Sequence, residues 1–227
     1  LCFEPLPSGT TSFDFIESDC EDCFKFFGID LTGKKTFDIP DDVPESLRLV
    51  DWDAEVPEPI FKTGTTTVNV HFLHYRPELG KEANLYVNTL FGTQQPYTAT
   101  VDPETGKASF SFLQCGTVQA AVVLNNSMAG SAWLAPGETT ELYVDMHSIG
   151  YYLSLRREEK KKITYPAPFQ RLYSSGTYAN LNNVDNQLDN SPYYSMNSLT
   201  GEFADYHMTS AEYAAHVVDT YKALADS

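Results

Sequence analysis

Cys20 and Cys23, three apart in the acidic stretch ESDCEDCFKF, are the residues whose type and spacing most directly name a chemistry. A C-x-x-C pair carries out thiol–disulfide exchange when its first cysteine sits at a helix start with cations nearby. Both features lower the thiol pKa from about 8.5 to about 7 or below. Here Glu17, Asp19, Glu21 and Asp22 bracket the pair and destabilise a thiolate. The residues that follow, FKFFGID, alternate like a strand, and neither proline nor tryptophan stands beside the cysteines. The local charge opposes nucleophilic activation. The expectation is two free thiols at a strand entry, or at most a local disulfide, with a thiol–disulfide oxidoreductase using Cys20 and Cys23 as the rival.

The other candidate chemistries are weaker. Zinc would need two more ligands, but Cys2, Cys115 and the histidines are scattered. His71 and His74 fall three apart on a predicted strand, which points them to opposite faces, so no metal site is expected. The stretch DNQLDN, residues 185–190, offers oxygen ligands but lacks the central glycine and terminal glutamate of a calcium loop. No nucleophile elbow, phosphate-cradling glycine loop or zinc-protease helix motif occurs, and no cofactor is implied. Tyrosine faces can stack on sugar rings, which makes Tyr151 and Tyr152 in HSIGYYLS, and Tyr193 and Tyr194 in NSPYYSMN, candidates for a glycan-binding platform. The plainer reading of tyrosine in an all-β chain is half-buried sheet packing.

Charge narrows the partners. A formal net charge of −16 argues against nucleic acid, since the basic run RREEKKK at residues 156–162 is interrupted by glutamates. No stretch approaches the roughly 18–20 apolar residues that cross a bilayer. The chain opens on LCFEPLP, without the basic and apolar regions of a secretory signal.

The elements that would position these residues are mostly strands. Residues 1–59 read as a strand-bearing segment followed by an acidic connector carrying Pro40, Pro44, Pro57 and Pro59, with a half-turn at PESLRL. Residues 60–165 read as strand after strand. In TTTVNVHFLHY, Val68, Val70, Phe72 and His74 share one face, with Asn69, His71, Leu73 and Tyr75 on the other. In YTATVDPETGKASFSFLQ, Val101 leads into a turn with Gly106, and the chain returns through Ala108, Phe110 and Phe112, which predicts a hairpin. TVQAAVVLN predicts a central strand, and WLAPGETTELYVDM predicts strand, turn at Pro136–Gly137, then a strand with Leu142 and Val144 inward. Five or six strands without intervening helices give a mainly β chain, an antiparallel β-sandwich. Residues 166–227 read as an Asn/Tyr-rich loop and a C-terminal helix. Thr209 and Glu212 fit a capping box there, and Tyr213, Val217, Thr220, Tyr221 and Leu224 form one stripe. The helix stops without a glycine cap, which implies a parent chain that continues.

Several strings together resemble the long non-catalytic N-terminal regions of thioredoxin-like (TlpA/ResA-type) envelope proteins of Gram-negative bacteria. FEPLPSGTTSFDFIE and FFGIDL are similar to a segment there; WLAPGETTELYVDM and YSSGTYANLNN look like the sandwich-closing strand and its following loop; MTSAEYAAHVVDTYKAL resembles the helix that starts the linker toward the thioredoxin domain. Members of that family keep their working C-x-x-C in the later thioredoxin domain, so the resemblance does not carry a catalytic role onto Cys20 and Cys23. It implies an exported, periplasmic or outer-envelope accessory module whose partner is a thioredoxin-like domain or another envelope protein.

Overall fold

The computed structural model describes residues 4–16, 25–32, 39–89, 92–125, 127–156, 159, 162–163, 169–187 and 209–225. The protein is mainly β and builds a sandwich. β1 (Ser12–Ile16) and β2 (Lys25–Asp30) pair antiparallel as a two-stranded ribbon. Eight more strands follow: β3 (Thr63–Leu73), β4 (Glu82–Asn88), β5 (Gln94–Thr100), β6 (Lys107–Cys115), β7 (Val118–Leu124), β8 (Ser127–Leu134), β9 (Thr139–Asp145) and β10 (Leu172–Ser174). They form two four-stranded sheets, β10-β9-β3-β6 and β5-β4-β7-β8. Seven of these strands lie between residues 60 and 165, more than the five or six expected. One neighbouring pair, β3 and β9, runs parallel among otherwise antiparallel partners.

Alternation dictates the core. Val68, Val70 and Phe72 of β3 and Leu142 and Val144 of β9 on one sheet join Leu85 and Val87 of β4 and Val122 and Leu124 of β7 on the other in one buried cluster. Burying each such side chain contributes about 1.5–3 kcal/mol. β7 is central in its sheet, as its apolar run predicts. At the end of β3 the alternation fails twice. Leu73, placed outward by parity, is buried against Val43 and Tyr173, because the acidic connector crosses the outer face of that sheet. His74, placed inward, is instead exposed, because its φ of 56° takes the chain out of the strand.

The predicted hairpin at residues 101–106 is a second correction. β5 belongs to one sheet and β6 to the other, so the turn carries the chain across the core. Turn chemistry is as read: the Asp102 carboxylate accepts from the backbone N–H of Glu104 and Thr105. The inward faces then meet across the sandwich, Tyr97 stacking on Phe112 at 4.7 Å. Alternation and a glycine turn are common to hairpins and to such arches; only the partner strands distinguish them. Gly106 serves the arch in two ways. Its φ is +67°, and a Cβ there would lie 2.7 Å from the Phe72 carbonyl oxygen.

Two α-helices of the described residues belong to the same compact unit, Leu1–Gln187. α1 (Met146–Ser154) follows β9 directly, where no helix was expected. The cause is local: Asp145 accepts from the His147 backbone N–H and caps the first turn. The segment read as an Asn/Tyr-rich loop contains β10 and α2 (Ala179–Asp185). Composition misleads here because Asn182 and Asn183 of α2 are buried and bonded. The Asn182 side chain accepts from Trp133 N–H at 2.6 Å and donates to the Trp133 carbonyl and to Ser174 Oγ. Asn183 accepts from Ser174 N–H and donates to the Leu47 carbonyl. Trp133 lies on the edge strand of one sheet and Ser174 on the edge strand of the other, so one helical turn clasps both edges. The acidic connector is bonded to the same body. It makes the expected short turn, at Glu45–Leu47, and its Glu58 carbonyl accepts from Tyr178 Oη.

The second unit, Leu188–Ser227, contains α3 (Ser210–Ala225). Its capping box forms as read, Thr209 N–H donating to Glu212 Oε2 and Glu212 N–H to Thr209 Oγ1. The side chains of Tyr213, Val217, Thr220, Tyr221 and Leu224 lie outside the described residues.

Replacing Asn182 with alanine removes the partner of the Trp133 backbone N–H and carbonyl and the amide donor to the Ser174 hydroxyl. Urea denaturation of N182A is expected to show a loss of about 2–4 kcal/mol. A loss within experimental error of zero would mean the edges hold without the clasp.

Candidate functional site

The parallel pairing of β3 with β9 sets Leu73 opposite Asp145. Both strands therefore end at the same place, and the residues just beyond them are neighbours. An open cleft of about 430 Å³ lies there, lined by side chains that include Asp42, His71, His74, Glu104, Lys107 and Tyr143. Its floor is the end of the sheet, and its walls are polar.

Two small constellations stand at this end. In the first, the His71 Nε2–H donates to Glu141 Oε2 at 2.6 Å, Asn69 Nδ2 donates to Glu141 Oε1 at 2.7 Å, and Ser109 Oγ donates to Asn69. The imidazole stacks on Tyr143 with centroids 4.5 Å apart. Partial burial works against the Glu141 carboxylate, but the bonds from Asn69 and His71 outweigh it, and its pKa is held below the ordinary 4.5. Burial, with the Glu141 charge beside it, raises the Tyr143 phenol.

The second constellation joins His74, Asp145 and His147. One ligand atom from each lies within 4.8 Å of the others. The two imidazoles lie parallel, 3.8 Å apart. Asp145 is buried, and its carboxylate is fixed by the His147 backbone N–H at 3.0 Å and the Ser148 hydroxyl at 2.6 Å. His74 Nε2 stands 4.0 Å from Asp145 Oδ1. Partial desolvation of the ring against Asp145 and His74 lowers the His147 pKa, with the charges of His74 and Arg76 acting in the same direction and that of Asp145 against them. Arg76 itself donates to Asp14 Oδ2 at 2.6 Å, which ties β1 to this end. Burial, reinforced by Asp145, pushes the Tyr173 phenol up to about 12, so it stays neutral behind the carboxylate.

The residues singled out from sequence are distributed differently. Cys20, Cys23, Tyr193 and Tyr194 lie outside the described residues, as do residues 188–190 of the candidate calcium loop. Cys115 is an exposed free thiol, 3.6 Å from Thr63 Oγ1. Tyr151 and Tyr152 sit on α1, half-buried against Phe169, and the Arg171 guanidinium covers the Tyr152 ring at 4.6 Å. His74 has left the strand on which parity set it apart from His71, and its neighbours are Asp145 and His147. Neither of those was singled out from sequence. The signal was present in DMHS, where an aspartate ends an alternating strand and a helix begins.

Glu141 gives a pH signature. Because its folded pKa is depressed, its contribution to stability is complete above its unfolded pKa and is lost as pH falls through the folded value. E141Q is expected to be less stable than the wild type near about pH 7, with the gap closing below about pH 4.5. Denaturation across a pH series reads it; a gap independent of pH would remove the ionised carboxylate from the account of this end.

Comparison with known proteins finds no family model and no curated sequence that matches this chain.

Proposed function

We propose that this chain is a non-catalytic accessory or binding module of an exported cell-envelope protein related to thioredoxin-like proteins. The observation that carries the binding role is the cleft at the shared end of β3 and β9. It is open to solvent, walled by imidazole, carboxylate, amine and phenol groups, and set on a sandwich with one edge of each sheet clasped by α2. Polar walls of both charge signs fit a polar partner surface, and a rigid scaffold holds them in place without ordering cost on binding.

The side chains at this end bond to one another in ways that fix a surface. The Ser148 hydroxyl donates to Asp145 at the helix start, and His71 donates to Glu141. Both groups are positioned by their partners within the fold. The envelope setting rests on the strings that resemble the N-terminal regions of TlpA/ResA-type proteins. It makes a thioredoxin-like domain, or another envelope protein, the natural partner.

The rival reading places the chemistry on Cys20 and Cys23, and titration of thiol reactivity in the intact chain separates the two. A thiol surrounded by Glu17, Asp19, Glu21 and Asp22 is expected to react with an apparent pKa at or above about 8.5. The chain should also fail to reduce a protein disulfide. An apparent pKa of about 7 or below, with turnover, would replace the accessory role by an oxidoreductase one.

A further inference from the structure

We propose that His74, Asp145 and His147 bind a divalent transition-metal ion of the zinc class. The inference rests on the geometry of these three side chains, independently of any role in an exported protein.

Two imidazoles and one carboxylate converge, with one ligand atom of each within 4.8 Å of the others. Among the described residues, neither ring makes a hydrogen bond through its nitrogens, so their lone pairs are uncommitted. His71, three residues before His74, differs in being bonded to Glu141. Asp145 is the fixed member: its two oxygens are held by the His147 N–H and the Ser148 hydroxyl. Bonds of this kind orient a ligating carboxylate. Both histidines are exposed, so an ion can enter, and the rings can turn toward it by side-chain rotation. Donors around a tetrahedral zinc ion stand about 3.3 Å apart, given metal–ligand distances near about 2.0–2.2 Å. The observed spread therefore has to close by about 1–1.5 Å.

The donor set selects the metal class. Imidazole nitrogen suits zinc, nickel, copper and iron, whereas calcium and magnesium take oxygen ligands in sets of six or more. Three protein ligands leave a position for water, as in open zinc sites. The electrostatics agree in sum. The chain carries a formal −16, which enriches cations around it. Arg76 is the nearby opposing charge, and Asp14 is bonded to it.

The test is zinc titration of the intact chain by calorimetry under reducing conditions, with cobalt as a spectroscopic substitute. Cys20 and Cys23 are the competing ligands, so the C20S/C23S double variant is titrated beside the wild type. The expectation is one zinc ion bound equally by both. The cobalt form should show ligand-field bands without sulfur-to-metal charge transfer. H147Q and H74N should each weaken binding by at least about tenfold, while H71Q leaves it unchanged. His147 and His74 are exposed, and asparagine tolerates the positive φ at position 74; circular dichroism of the zinc-free variants checks their fold. Absence of zinc binding, binding lost in C20S/C23S, or binding undiminished in H147Q and H74N would each overturn the proposal.

Discussion

Between β3 and β9 the two strands run in the same direction, with Leu73 opposite Asp145. Everything distinctive at the cleft follows from that pairing. Strands that run together end together, so the turn at His74 and the helix start at Asp145–His147 fall side by side. Reversing β9 would move its end about 20 Å away along the sheet, given a rise of about 3.3 Å per residue over seven residues. Parallel neighbours need a long crossover, and the chain makes it with the five strands β4 to β8, the arch at Gly106 among them.

A sandwich of this kind leaves edges, and β8 and β10 are two of them. Exposed edge groups invite pairing with other chains. Here the side-chain amides of Asn182, Asn183 and Asn186 occupy backbone groups of Trp133, Ser174 and Ser131. The same helix reaches the connector through Leu47. Closure of the edges and docking of the acidic segment are thus one event. Val43 and Leu47 then cover Leu73 and Tyr173, and Tyr173 backs the Asp145 carboxylate. The cleft end of the sheet is therefore connected, through Leu47, to the clasp made by α2.

Much of this was legible before any coordinates. The period-two patterns of β3, β6 and β9 and the apolar run of β7 named the core, and the capping box named α3. What escaped was what only tertiary partners decide. The turn at residues 102–106 looks the same whether its strands pair or face one another across a core. Asparagine-rich composition reads as loop because such side chains compete with the backbone in water; once buried against strand edges they complete backbone bonding instead. At His74, parity ended with a positive φ that no periodicity announces. Cys20 and Cys23 lie outside the described residues, whereas His147 of the proposed metal site sits beside an aspartate whose capping role could have flagged it.

If the shared end of β3 and β9 builds a metal site, an anomalous difference map at the zinc edge, from crystals of the intact chain grown with zinc, tests that most directly. The expected peak lies within about 2.0–2.2 Å of a ring nitrogen of both His74 and His147 and of an Asp145 carboxylate oxygen. A peak confined to Cys20 and Cys23, or none between the two imidazoles, would contradict it.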